Sequence, residues 1–586
     1  MPPPTNPQPA GPLPRGRRAA HGLDNRGMEA ASSPGATIGR FGRMFPVAGV
    51  ELPDACLQAI AAAMIKEDAG KPIDVPEGVD ENPRIPAGYT YFGQFVDHDI
   101  SLDTTPLRER GIDVAATENF RTPALDLDCV YGRGPGDQPY MYADSLHLRL
   151  GKTLAPPPAG EVRTKRDVLR LDDPSVPAPA PPERKVKPAI LGDKRNDENL
   201  IVAQLQSAMI TFHNKVVDDQ VLIEAFGGVW VDDGSRFRTA VNVVRWHYQW
   251  LVLHDYLDRI LEPTAISDVL PAGGGAPSLP NYQKPSQRWA YLPVEFSGAA
   301  YRFGHSMVRP SYALNSKVGA DDKAATQPDR IPTFGSQRPN LNGFGAELDP
   351  DQGIDWAFFF DGLPHAGVPS KFQIPQPSYR IDALLVDALS HLPEFAGQDK
   401  LIQNLAYRNL VRGVANLRLP SGEQVADLLD LRPALPAEVL WGAGSRSAYK
   451  AKAGGGWDRK SDAELQAVLK NDAAEMKKVH EARQGVYDAW VTADGRLKGN
   501  TPLWYYILRE AEFYGDSRTP EGATAAFGGQ HLGPVGSRIV AETFVGLLWN
   551  DETSYLRRRP DFKPHALITG GAAKFTVGTL LKYALG

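Results

Sequence analysis

Residues 91–99 read Tyr-Phe-Gly-Gln-Phe-Val-Asp-His-Asp, and this stretch decides how the rest of the chain is read. The preceding Asn82-Pro-Arg-Ile-Pro-Ala-Gly88 supplies a stop and a start, so a helix carrying Gln94 and His98 is predicted to follow. At about 100° per residue these two side chains lie about 40° apart on one face. Asp97 and Asp99 flank the histidine and point to opposite sides of it, each about 100° around. One turn therefore presents a proton-transfer group, an amide and two separately aimed carboxylates. That is more polarity than a core helix carries, and it suggests the wall of an active site.

Outward from this turn the pattern is helical. A short helix is predicted over Ala55–Glu67, and a strong one over Leu200–Val217, where Ile201, Leu205, Ala208, Met209 and Phe212 keep the helical period. Another runs from about Arg236 to Leu261, and helical patterns recur at 380–413, 461–490, 502–513 and 533–548. Alternating strand patterns are scarce, and neither a βαβ rhythm nor an internal repeat is visible. The expected fold is mainly α, with long loops and very little β. Residues 1–38 are rich in Pro, Gly and Arg and read as a flexible arm, leaving 39–586 as one large helical domain. The Pro-rich segment 155–190 reads as extended, loop-like chain leading into Asp193-Lys-Arg-Asn-Asp-Glu198.

Composition removes several classes of function. The 586 residues carry a net charge of −6 and no long Lys/Arg run, so no nucleic-acid surface is expected. Cys56 and Cys129 are the only cysteines, which excludes a disulfide framework, a zinc ribbon and a Cys-x-x-Cys-His haem attachment. Cys129 reads as a small buried hydrophobe. No run of 18 apolar residues appears, so no membrane span is expected, and the N-terminus lacks the apolar segment of a secretory signal. A soluble chain, cytoplasmic or exported by a non-classical route, is the expectation.

A second histidine stands in Tyr301-Arg-Phe-Gly-His305, part of a segment that Pro310 ends. Gly304 removes side-chain bulk beside His305, which a flat cofactor needs for close approach. Alone, such a histidine reads more readily as structural.

Gly93-Gln-Phe-Val-Asp-His-Asp99 together with Tyr301-Arg-Phe-Gly-His305 resembles the paired signature of the animal haem peroxidases, within the peroxidase–cyclooxygenase superfamily. The likeness can be followed loosely from about residue 40 to 550, with several motifs in the family's order. It implies haem b as cofactor, His98 as the distal acid–base group and His305 as the proximal iron ligand. Arg195 matches the distal arginine, whose fixed charge would favour the negative charge that develops as an O–O bond breaks. Gln94 matches the distal glutamine. Asn409, in Tyr407-Arg-Asn-Leu-Val-Arg-Gly413, matches the acceptor behind the proximal histidine, although the sequence diverges downstream of it. Arg302 matches an arginine associated with a haem propionate.

The same resemblance implies two further features. Asp97 and Glu198 fall where some members form ester bonds to the haem edge, whereas Asn199 stands where one of them has a methionine, so a sulfonium link is not expected. In Thr122-Pro-Ala-Leu-Asp-Leu-Asp128 oxygens recur at every second residue. The family's calcium loop matches at Thr122, the Ala124 carbonyl, Asp126 and Asp128, with Asp99 as the ligand from the distal helix; hard Ca²⁺ takes such oxygen donors.

The expected activity is a peroxide-dependent oxidation of halide, thiocyanate or small aromatic donors, with hydrogen peroxide and a small reducing substrate as partners. One alternative is a fatty-acid dioxygenase of the same superfamily, which needs a tyrosine three residues before the proximal histidine. That position is Arg302, and Tyr301 one residue earlier would be turned about 100° on a helix, away from the place such a ring must reach. The other alternative is a non-catalytic haem-binding or adhesive protein, against which the retention of Gln94, His98, Arg195 and His305 speaks. The few cysteines and short chain resemble bacterial members. His213, His247 and His254 are expected to be packing residues. Sequence does not fix the oligomeric state.

Overall fold

The computed structural model describes residues 41–66, 81–102, 119–171, 187–271, 275–282, 290–316, 330–334, 340–365, 374–431, 434–454, 456–469, 473–515 and 528–586. The expected arm over 1–38 and the 172–186 part of the Pro-rich segment lie outside these residues. The rest is a mainly helical domain. Its strands are two to six residues long, and among the described residues they form six separate two-stranded ladders rather than a layer.

The Leu200–Val217 helix is central. Asn199 caps it, its side chain accepting from the Ile201 N–H, and burial extends over nearly its whole circumference. It packs against the Gly88–Ile100, Asp233–Leu251 and Val577–Leu585 helices. The Gly88–Ile100 helix is itself almost wholly buried, and Gly93 packs against Tyr256. A Cβ at Gly93 would fall 2.2 Å from the Tyr256 hydroxyl, so only glycine admits that phenol.

Two interruptions of helical period border the functional region. The predicted helix from Arg236 to Leu261 is in fact Asp233–Leu251, a π-helical Val252–Tyr256 and a last turn Leu257–Ile260. A second π segment, Arg412–Asn416, follows the Leu405–Val411 helix. Wider turns of this kind redirect side chains without ending the helix, and Tyr256 and Arg412 both end up on the cavity described below.

Most predicted helices are present with shifted ends: Asp54–Ala63, Leu503–Tyr514 and Pro534–Asn550. The 461–490 pattern divides into Asp462–Leu469 and Ala473–Val486. The 380–413 pattern is corrected. Its first half holds the strand Leu385–Val386 and 3₁₀ turns at Asp387–Ser390 and Pro393–Phe395, and helix begins only at Lys400. Pro393 has no N–H to give and Gly397 takes φ +82°, both incompatible with a continuous helix. No helix among the described residues is long and apolar enough to cross a membrane.

Candidate active site

A cavity of about 340 Å³ opens between the Gly88–Ile100 helix, the 3₁₀ segment Ala300–His305 and the Leu405–Val411 helix with its π extension. Gln94, Asp97 and His98 line it from the first, Arg302 and His305 from the second, and Asn409 and Arg412 from the third. Sequence-distant residues predicted to share a site thus share one cavity.

His98 is buried, and its Nδ1 lies 2.7 Å from the Asn196 side-chain oxygen. Burial and the nearby Arg195 guanidinium push its pKa down to about 4, so the imidazole is neutral at pH 7. Arg195 departs from expectation. It is not among the residues lining the cavity, and its guanidinium lies behind His98, donating to the His98 carbonyl at 3.0 Å and to the Ser101 carbonyl. Asp193 causes this: its carboxylate grips Arg195 at 2.7 Å and Arg121 at 2.6 Å. Burial opposes ionisation there, but the two guanidinium groups hold the Asp193 carboxyl well below the usual carboxylate range. Arg195 therefore contacts the helix that carries His98 only through its backbone and the chain just after it.

His305 is half-buried on the cavity and neutral, pushed down to about 3 by desolvation and by Arg302. A Cβ built on Gly304 would meet nothing within 4 Å, so the space beside the imidazole is open to a flat group. The donor set suits haem. A neutral imidazole can ligate iron, while Arg302, Arg408 and Arg412 on the cavity wall offer cations to carboxylates. One detail runs opposite to expectation. Arg302 donates to Asn409 Oδ1 at 3.0 Å, and it is Asn409 Nδ2 that lies 2.9 Å from His305 Nδ1. An imidazole bound to iron through Nε2 carries its proton on Nδ1 and needs an acceptor there. Asn409 presents the amide nitrogen because Arg302 occupies its oxygen.

Asp97 and Glu198 both line the cavity. Asp97 accepts from the Ser101 hydroxyl at 2.9 Å. Burial, then Glu394, push the Glu198 carboxyl up to about 7. Asn199 is engaged as the cap of its helix.

Below the distal helix Asp99, Asp126 and Asp128 converge, with ligand atoms all within 4.8 Å of one another. The Thr122 hydroxyl donates to Asp126 at 2.7 Å, and Ala124 sits in the same loop, which turns at Leu127 with φ +60°. Neither Asp99 oxygen has a well-formed hydrogen bond. Burial and the neighbouring Asp126 and Asp128 push the Asp99 carboxyl well up, and burial and Asp128 bring Asp126 to about 7. Three buried acids with an unsatisfied carboxylate fit a hard cation.

His213, His247 and His254 pack among interior partners. His213 is held between the Tyr131 hydroxyl and the Leu146 carbonyl, His247 between Val243 O and His565 N–H, and His254 lies on Trp250. Cys129 is a buried free thiol. Tyr301 lies on the cavity wall beside Tyr256, with its hydroxyl donating to the Gly93 carbonyl at 3.3 Å. The segment is 3₁₀, so Arg302 rather than Tyr301 stands one full turn before His305. Sequence reasoning missed Asn196, Tyr256, Glu394, Arg408 and Arg412. Asn196 had a signal, since it lies inside the Asp193–Glu198 motif next to Arg195.

Residues 113–333 match the family model for animal haem peroxidase, a span that holds the acidic loop, Arg195, Glu198 and His305. Thyroid peroxidases of Rattus norvegicus and Mus musculus are each 26% identical over 225 residues, covering 36% of this chain and 21% of theirs. The chain thus spans about a fifth of the length of the curated relatives it matches. In fold it is similar to peroxidase A from Dictyostelium discoideum, with a TM-score of 0.55 at 14% identity over 94% of both chains. It is also similar to a fatty acid alpha-dioxygenase from Arabidopsis thaliana, with a TM-score of 0.51 at 14% identity over 90% of this chain and 75% of that one. Residues 113–333 thus match an animal haem peroxidase domain, in a chain that places two neutral histidines on one cavity.

Proposed function

We propose that this protein is a haem peroxidase that uses hydrogen peroxide to oxidise a halide, thiocyanate or a small aromatic donor. The observation that carries the reading is His98. It is a neutral imidazole on the cavity wall, with Nδ1 engaged by Asn196 and Nε2 left for a proton. Haem, when bound, supplies the iron that takes up the oxidising equivalents of peroxide. His305 would ligate it, Arg302 would hold a propionate, and Asn409 would then accept from His305 Nδ1–H. His98 Nε2 would take a proton from the peroxide and return it to the departing oxygen. Gln94 would orient a water or a halide through its amide. Arg195 would add positive charge from behind the helix turn.

Asp97 and Glu198 are proposed as ester-forming carboxylates, supported by their place on the cavity wall. Ca²⁺ is proposed for the cluster of Asp99, Asp126 and Asp128 with Thr122 and the Ala124 carbonyl, where it would also fix the neighbouring His98. Residues 39–586 are proposed as the domain unit.

The second reading, a fatty-acid dioxygenase, draws support from the Tyr256 and Tyr301 phenols on the same cavity. The haem-loaded chain is given either hydrogen peroxide with bromide, thiocyanate or guaiacol, or dioxygen with a long-chain fatty acid. Donor oxidation without oxygen uptake is expected. Oxygen uptake with fatty acid and no donor oxidation would replace the first reading by the second.

A further inference from the structure

Three buried amide contacts run from His98 to a backbone carbonyl. The His98 Nδ1 meets Asn196 Oδ1 at 2.7 Å, Asn196 Nδ2 donates to Gln206 Oε1 at 2.9 Å, and Gln206 Nε2 donates to the Cys129 carbonyl at 3.1 Å. Asn196 and Gln206 are fully buried, so water does not substitute for any link. Asn196 belongs to the 3₁₀ turn Lys194–Asp197, Gln206 to the Leu200–Val217 helix and Cys129 to the turn Asp128–Tyr131. Gly192 lets the first of these approach the last, since a Cβ there would fall 2.4 Å from the Asp128 carbonyl oxygen and 2.6 Å from that of Cys129.

An amide side chain can turn by 180°, and a neutral imidazole can carry its proton on either nitrogen. A peptide carbonyl has no such freedom, because it only accepts. The Cys129 carbonyl therefore requires the nitrogen of Gln206, which leaves the Gln206 oxygen for the nitrogen of Asn196. That in turn leaves the Asn196 oxygen for the imidazole. Reversing any one amide sets oxygen against oxygen or nitrogen against nitrogen within a dry interior, which costs about 1–3 kcal/mol for each unsatisfied group.

We infer that Asn196 and Gln206 are positioning residues that set the tautomer of His98, holding its proton on Nδ1 and keeping the Nε2 lone pair toward the cavity. In water a neutral imidazole favours the opposite, Nε2–H, form. That form would offer the peroxide a donor where a base is required. The inference rests on the reading of His98 as the proton acceptor, and it locates the origin of that capacity in the Cys129 carbonyl.

The test is a ¹H–¹⁵N spectrum of the full chain labelled only at histidine nitrogens, recorded with and without haem. The His98 signal is identified by its loss in His98→Gln. One-nitrogen coupling patterns distinguish Nδ1–H from Nε2–H. The wild type is expected to show a protected Nδ1–H. Asn196→Leu is expected to convert it to Nε2–H and slow the reaction with peroxide about 100-fold, with Gln206→Leu acting in the same direction and Asn196→Asp, which keeps an acceptor, retaining Nδ1–H. A wild-type Nε2–H overturns the inference even if both variants fail to fold. An Nδ1–H that survives in Asn196→Leu overturns the role of Asn196. An Nδ1–H chain that is inert to peroxide contradicts the peroxidase reading and leaves this inference standing.

Discussion

The two walls of the cavity hold their histidines by different means. On the distal wall, His98 leads through two amides to a peptide carbonyl, and Arg195 is locked by Asp193 into an ion network with Arg121 and Asp128. On the proximal wall, His305 meets a single amide, Asn409, whose orientation depends on the Arg302 side chain. One wall is anchored to backbone and the other to a side-chain guanidinium. The difference teaches that the groups around His98 are oriented by the fold itself, whereas the amide facing His305 is oriented by Arg302; on the proposed reading, Asn409 would turn only when Arg302 pairs with a haem carboxylate.

The strongest way to break this comparison is at His305. His305→Ala should abolish the haem absorption band, while His98→Ala should retain it; equal loss in both would deny the division of labour between the walls. Next is the ion network. Arg121→Ala removes the cation shared by the buried Asp193 and Asp128, leaving Asp193 with Arg195, and should cost about 3–5 kcal/mol in denaturant unfolding. A loss below about 1 kcal/mol would mean that the distal wall is not anchored as described. The acidic cluster comes third. Saturating calcium at about 100 times its Kd should stabilise the chain by about 2.7 kcal/mol, an increment that Asp99→Asn should largely remove. The same increment in the variant would place calcium elsewhere. The smallest effect concerns the haem edge. Acid–acetone extraction should leave haem on the protein, and Asp97→Asn with Glu198→Gln should release it; complete extraction from the wild type would disprove the esters.

Much of the helical framework was readable because Leu200–Val217 and Pro534–Asn550 keep an apolar period over several turns. The region 380–399 was misread because its apolar residues face the core from short irregular turns, whose burial imitates a helical stripe. Gln94, His98 and His305 could be brought together from motif and resemblance, since each stands in a short, polar and unusual setting. The place of Arg195 could not, because it depends on Asp193 competing for the guanidinium in three dimensions. The orientation of Asn409 was hidden for the same reason. Gln206 carried a signal that the motif reading passed over: a glutamine inside a fully buried helix stretch must satisfy its amide, and its partners Asn196 and the Cys129 carbonyl come together only in three dimensions. Tyr256 reached the cavity through a π turn, which leaves no trace in an apolar pattern.

The most direct test of the central claim is the optical spectrum of the purified full chain supplied with haem, before and after equimolar hydrogen peroxide. The account predicts a haem band that peroxide changes rapidly in the wild type and at least about 100-fold more slowly in His98→Ala. A wild-type chain that binds no haem, or whose band is indifferent to peroxide, would contradict it.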